Sequence, residues 1–382
     1  MPTSTGPTST TSVPLAQPNI GALEHELVSQ VLTSGTLAMG PFTAEFEERV
    51  AALAGRRHGI AVSSGTAGLH LAVRALGIGP GDEVITTPFS FVASSNCLLF
   101  EGATPVFVDI EEQTLGLDPA RAAAAVTERT RAVLPVDVFG NPCRLPELES
   151  LSADHDLLMI EDSCEALGSS LGGRPMGSWG QASVFAFYPN KQITTGEGGM
   201  VVTDDDQLAE RMRSMRNQGR DADGTWLRHV QLGFNYRIDE MSAALGVAQM
   251  RRLPELRAGR DRAFSAYAQR LTGLPWIRLP EPMAGADVDW FVYVIRLAPD
   301  VDRDRLIGQL AERGVPGRPY FSPIHLQPFY RERFGFGVGD FPVTERVAAS
   351  TLAIPFGSRL SDEQVERVCD ALLASVTEQG VA

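Results

Sequence analysis

The chain has 382 residues, 43 % of them apolar and 21 % charged, with a formal net charge of −14. Such a length and balance suit a soluble globular protein with one large domain and a smaller one. The acidic surface argues against nucleic acid as a partner, because a polyanion needs a basic face, and the lack of any run of about 18 apolar residues argues against a membrane span.

The opening "MPTSTGPTSTTSVPLAQPN" has neither basic residues nor an apolar stretch, so it is not a secretory signal. Its Thr, Ser and Pro content makes residues 1–16 a disordered leader, or one partly ordered against a neighbour. "IGALEHELVSQVLTSG" sets Leu23, Leu27, Val31 and Leu32 at helical spacing, with Gly35 as the stop. "TAEFEERVAALAG" predicts a second helix, with Thr43 as N-cap and Glu45 and Glu47 in a first turn where the helix dipole favours acids.

Seven short apolar strands follow: "HGIAVSS", "DEVITT", "TPVFVDI", "RAVLPVDV", "LLMIED", "ASVFAFYP" and "GMVVTD". Helical segments such as "TAGLHLAVRALG", "SFVASSNCLLFEG" and "PARAAAAV" lie between the earlier ones. Near-continuous apolar strands with helical crossovers predict an α/β fold, a mostly parallel seven-stranded sheet covered on both faces.

After Asp206 the pattern changes. "DDQLAERMRSMRNQG" is a helix, and residues 240–273 form a long helical stretch with a kink at Pro254. "WFVYVIRLA" predicts a strand, "DRDRLIGQLAERG" a helix and "SDEQVERVCDALLASVTEQ" the closing helix. The predicted division is a large domain over 17–255 and a small α+β domain over 256–382. Cys97, Cys143, Cys164 and Cys369 are far apart without CxxC spacing, which points to buried thiols in a reducing, cytoplasmic compartment and away from a metal site.

Three stretches carry chemistry. In "AVSSGTAGLHLAV" a strand ends, a Ser64-Gly65-Thr66 turn follows and a helix begins. Such a turn aims backbone N–H groups and a hydroxyl at an anion, although many strand-to-helix turns use Ser and Gly only for capping. In "LLMIEDSCEALGSS" a strand ends in Glu161 and Asp162, where parallel sheets bind ligands; a helix cap or surface acid is the plain alternative. In "FAFYPNKQITTGEGGMVVTDD" Lys191 precedes the glycines, and a strand comes next. That order fits neither the P-loop nor the dinucleotide fingerprint.

Alone, Lys191 is a solvated loop lysine as readily as a catalyst. In one α/β domain, a phosphate cradle, an acid at a strand end and a lysine about 30 residues later are the parts of a pyridoxal phosphate enzyme. The lysine forms a Schiff base with the aldehyde, the acid keeps the pyridine nitrogen protonated, and the helix terminus holds the phosphate.

With these motifs in order, joined by "DEVITTPFSFVASSN", "GATPVFVDI", "GFNYRIDEMSAALGVAQ" and "PIHLQPFY", the chain resembles fold-type I pyridoxal phosphate enzymes over about residues 17–380. Within them it is similar to the DegT/DnrJ/EryC1/StrS sugar aminotransferases. The resemblance implies that Lys191 carries the cofactor, Asp162 meets the pyridine nitrogen and Glu165 the ring hydroxyl. Phe91 would stack on the ring, with Ser64, Gly65 and Thr66 at its phosphate. Asn235 would reach the phosphate of a neighbouring subunit's cofactor, making a homodimer with shared active sites. Tyr320 and His325 would line the sugar side, and Arg237 is a candidate for the amino donor's carboxylate.

One position departs from the pattern: Ala186 stands where relatives have a phosphate-binding serine, so that contact is lost or replaced, by water or by Ser64. The implied reaction is ping-pong transamination from L-glutamate or L-glutamine to a keto-sugar, nucleotide-linked. Amination of a keto-cyclitol, a dehydration, and a catalytically silent binding protein are the alternatives.

Overall fold

The computed structural model describes residues 12–381 apart from 222–224 and 226. Its centre is a seven-stranded sheet built from β1 (His58–Val62), β2 (Glu83–Thr86), β3 (Thr104–Phe107), β4 (Thr130–Leu134), β5 (Leu158–Asp162), β6 (Ala182–Ala186) and β7 (Gly199–Thr203). These are the seven strands predicted. In space they run β1-β7-β6-β5-β4-β2-β3, and β7 alone is antiparallel to its neighbours.

Successive strand residues point to opposite faces, and here both faces are dry. Ile60, Val62, Val84, Ile160 and Val184 pack on one side, against the helices Gly65–Ala75 and Ala93–Phe100. Ala61, Phe185, Met200 and Val202 pack on the other, against Ala22–Ser34, Pro41–Leu53 and Glu240–Arg251. That two-sided burial is why the strands read as continuous apolar runs.

The direction of the strands also gathers the chemistry. β1, β5 and β6 run the same way, so their C-terminal ends share one edge, and β7 starts there. Val62, Gly199 and Ala186 stand side by side in the ladder. The Ser64-Gly65-Thr66 turn, Asp162 and the Lys191 loop therefore leave the sheet at the same edge.

In the C-terminal region, strands Ile277–Arg278, Tyr293–Leu297 and Thr351–Ile354 form a second, antiparallel sheet. Its core includes Tyr267 and Leu271 of the helix Leu253–Leu271, Leu306 and Leu310 of Arg303–Glu312, and Val365, Val368 and Leu372 of Asp362–Thr377.

Four expectations change. Thr43 is not an N-cap: the helix starts at Pro41 behind Gly40, and Thr43 lies buried inside it. Its first turn is capped from a distance by the Glu240 carboxylate, which accepts the N–H groups of Gly40 (2.9 Å) and Phe42 and the hydroxyl of Thr43 (2.6 Å). Pro254 does not kink one long helix; it opens a second helix after a break at Arg252, and the expected division at 255 falls in that helix's first turn. Of the predicted leader, residues 1–11 lie outside the described residues. Residues 12–16 are held in place: Val13 is buried and donates to the Gly314 carbonyl (3.0 Å), and Leu15 accepts from Phe356 N–H (2.9 Å). Cys97, Cys143 and Cys369 are buried, but Cys164 is only half-buried. No described helix is long and apolar enough to cross a membrane.

Candidate active site

The site begins where the β-strands end. Asp162 closes β5 and is 3 % exposed. Its Oδ2 accepts the Ser94 hydroxyl (2.7 Å) and its Oδ1 the backbone N–H of Cys164 (3.2 Å). A carboxylate this deep needs such donors to stay in place. Three residues on, Glu165 accepts the Phe139 N–H at Oε2 (2.8 Å) and Lys191 Nζ at Oε1 (3.2 Å). Lys191 is mostly covered, its side chain 13 % exposed, and its ammonium lies 3.9 Å from the centre of the Phe291 ring. This is not a solvated loop lysine.

The loop beneath Lys191 is braced from the C-terminal region. Gln192 Nε2 donates to the carbonyls of Glu165 and Asp289 (2.9 Å for the latter). Arg260 forks onto Asp289 through Nε–Oδ1 (2.7 Å) and NH2–Oδ2 (2.6 Å), and its NH1 donates to the Gln192 carbonyl (2.8 Å). The Arg260 and Asp289 side chains are 5 % and 0 % exposed. Removing one partner of a buried pair leaves the other uncompensated, at a cost of about 3–5 kcal/mol. Arg260→Ala is thus expected to lose stability of that order in a denaturant melt; a loss under about 1 kcal/mol would mean that the pair does not brace the loop.

The turn after β1 makes a cradle. Ser64 caps the helix Gly65–Ala75, its hydroxyl accepting Ala67 N–H (3.0 Å), and the helix N-terminus opens at Gly65 and Thr66. A Cβ on Gly65 would stand 2.7 Å from Ala186 Cβ and 3.2 Å from Cys164 Sγ, so only glycine fits there. Ala186 thus presses against the turn, and the missing serine hydroxyl of that position leaves a methyl group in its place.

Phe91 is joined to this centre through Ser94, whose hydroxyl reaches Asp162 and also lies 3.2 Å from the Phe91 carbonyl; the Phe91 side chain is 61 % exposed. It lines an open cleft of about 840 Å³ with Ser90, Phe100, Phe321 and Tyr330. Tyr320 stacks on Phe139 and Phe321. Burial and the Glu165 carboxylate push its phenol up. His325 is not brought to the cleft: it is fully buried against Phe341, with Nε2 3.1 Å from Glu345 Oε1. Burial pulls its imidazole below the usual range. Arg237 is tied to Asn217 Oδ1 (2.8 Å). Asn235 is exposed, on a segment whose Tyr236 carbonyl accepts Ser63 N–H (2.8 Å) beside the cradle.

A lysine amine against a carboxylate, a buried acid with two donors and a glycine-lined helix terminus share one edge, and they fit pyridoxal phosphate. The sequence profile of the DegT/DnrJ/EryC1/StrS aminotransferase family matches residues 18–373. The chain belongs to that family. Its members are pyridoxal phosphate-dependent sugar aminotransferases, and this chain is an enzyme of that class.

Among the relatives of this aminotransferase is the GDP-perosamine synthase of Caulobacter vibrioides, 38 % identical over 94 % of this chain and 97 % of its own length. The fold matches DesI, solved in the presence of its TDP-sugar product, at TM-score 0.89 and 35 % identity over 97 % of this chain and 95 % of DesI. The pyridoxal phosphate form of Spr1654 from Streptococcus pneumoniae gives TM-score 0.91 at 26 % identity, over 96 % of this chain and 99 % of that one.

Sequence reasoning missed Ser94, Phe291, Gln192 and the Arg260–Asp289 pair. Ser94 had a weak signal, lying one helical turn after Phe91. Phe291 meets Lys191 from 100 positions away, and Gln192, next to Lys191 in the chain, is held by Arg260 and Asp289 from 68 and 97 positions away; nothing local marks these contacts.

Proposed function

We propose that this aminotransferase moves the amino group of L-glutamate or L-glutamine onto a nucleotide-linked keto-deoxyhexose to give an amino sugar, with pyridoxal phosphate held at the sheet edge by Lys191. The observation that carries the reading is Lys191 Nζ, covered, 3.2 Å from Glu165 and over the Phe291 ring, at the edge where Asp162 is buried. Relatives named for GDP- and TDP-linked sugars support a nucleotide on the acceptor.

Pyridoxal phosphate, when bound, supplies an aldehyde for amine exchange and a ring that accepts electrons. Lys191 Nζ holds it covalently and, once released, moves the proton that transamination requires. Asp162 holds the proton on the ring nitrogen, kept in place by Ser94 and the Cys164 N–H. Glu165 faces the ring hydroxyl and orients Lys191. Ser64, Gly65 and Thr66 bind the phosphate, and Phe91 covers the ring. Asn235 belongs to the site of a neighbouring protomer in a homodimer; the exposed apolar side chains Leu227, Val230 and Leu232 on the same segment support such a partner. Tyr320 stands toward the acceptor.

The test is a panel assay. Protein in the amine form of the cofactor is offered GDP-, TDP- and UDP-linked keto-sugars and keto-cyclitols, and products are separated by mass. An aminated nucleotide sugar, with the cofactor returned to its aldehyde form, is the expected result. Amination of cyclitols alone would overturn the acceptor class.

A further inference from the structure

Two carboxyls are sealed beneath the turn that carries Asp162 and Glu165. Asp137 and Glu161 are both 0 % exposed. The Ser163 hydroxyl lies 2.7 Å from Asp137 Oδ2 and 2.7 Å from Glu161 Oε1. A serine has one hydrogen to donate. Were both acids ionised, one carboxylate oxygen would face a serine lone pair at hydrogen-bond distance with no proton between them, away from water.

The remaining contacts decide where the proton sits. Glu161 is well supplied with donors: the N–H groups of Gly177 (2.8 Å) and Trp179 (3.0 Å) and the Ser183 hydroxyl (2.6 Å). Among the described residues, the one donor to Asp137 besides Ser163 is the Cys143 N–H, at 3.3 Å, and its other close neighbour is the Glu161 carboxyl, which as a carboxylate has no hydrogen to give. The titratable groups facing Asp137 are the Glu161 carboxylate and the Cys143 thiol.

We propose that Asp137 is a neutral carboxylic acid in the folded protein and a positioning residue for the active site, donating its proton from Oδ2 to Ser163 while Ser163 donates to ionised Glu161. The same short segment grips both working acids. Asp137 N–H donates to the Asp162 carbonyl (3.1 Å), and Phe139 N–H donates to Glu165 Oε2 (2.8 Å). Ser163 lies between Asp162 and Glu165 in the chain, so its bridge sets how that turn leaves β5. Burial and the Glu161 carboxylate both push the Asp137 acid well above its usual range, in keeping with the geometry. The positioning role rests on the cofactor reading above; the proton does not.

The proton is tested on cofactor-free protein. Asp137→Asn keeps a donor toward Ser163 and cannot ionise. Unfolding makes wild-type Asp137 ordinary, and it releases its proton above about pH 4. Because the folded acid is raised, wild-type stability falls relative to the variant as pH rises from that point toward the folded value. Melts at pH 5 and pH 8 should show a gap in favour of Asp137→Asn that widens by a few degrees at the higher pH. A variant less stable by the same margin at both pH values would overturn the neutral acid.

Positioning is tested with Asp137→Leu and, in parallel, Ser163→Ala, should the first fail to fold. Loss of the bridge should weaken pyridoxal phosphate binding by about tenfold in an absorbance titration and shift the pH midpoint of the bound cofactor's absorbance. Asp137→Asn should leave both close to wild type. Unchanged affinity and midpoint in the bridge-breaking variants would overturn the positioning role. Absence of cofactor binding in wild type would overturn the cofactor reading instead, and the melts would still judge the proton.

Discussion

Lys191→Ala is expected to remove transamination, by at least ~10⁴-fold in kcat, together with the visible absorbance of covalently held cofactor. The size follows from two losses at one atom. Nζ is the only amine placed at the Asp162 edge of the sheet by the Lys191 loop, and it is also the group proposed to move the proton. The variant should still fold, because Glu165 keeps its Phe139 N–H while losing the Lys191 partner, and the Phe291 ring loses one cation contact. A folded Lys191→Ala protein that turns over keto-sugar at the wild-type rate would end the assignment.

Asp162→Asn should produce the second largest effect, with a different signature. The shape is nearly kept, so Ser94 and the Cys164 N–H still have a partner, and the protein should fold and show the absorbance of attached cofactor. What disappears is the negative charge proposed to face the ring nitrogen. Removing one preorganised electrostatic partner of a reacting group costs about 10²–10³ in rate. Stopped-flow measurement of the half-reaction with L-glutamate would show that fall. A decrease of less than about threefold would mean that Asp162 serves the fold alone. The two variants are distinguishable by eye: one colourless and inactive, the other coloured and slow.

Much of the molecule was legible in its residues. The seven strands could be placed because each is a short apolar run, most of them buried on both faces, and the strand ends carrying Ser64, Asp162 and the Lys191 loop were visible as polar residues abruptly following such runs. Gly35 ended its helix as expected, with φ at 73°, a conformation that suits glycine. The resemblance to known aminotransferases supplied roles for the same positions. Local chemistry misled where a distant group competed. Thr43 has the form of an N-cap, but Glu240, nearly 200 positions later, supplies the oxygens, and the helix starts two residues earlier. Pro254 was expected inside one helix; its missing N–H is harmless at the start of another, and the chain uses it there. His325, given a sugar-lining role by the resemblance alone, lies fully buried in this chain between Phe341 and Glu345.

Periodicity and side-chain chemistry within a few residues were enough to specify the strands, the helices between them, and the residues able to do covalent and acid–base work. How those groups act together depended on long-range packing. Strand direction brought three ends to one edge, Gly65 accepted the close approach of Ala186, and Arg260 and Gln192 fixed the loop beneath Lys191. Ser163 was set between two acids with one hydrogen to give. Distances between residues far apart in the chain are set by packing, and no local pattern records them.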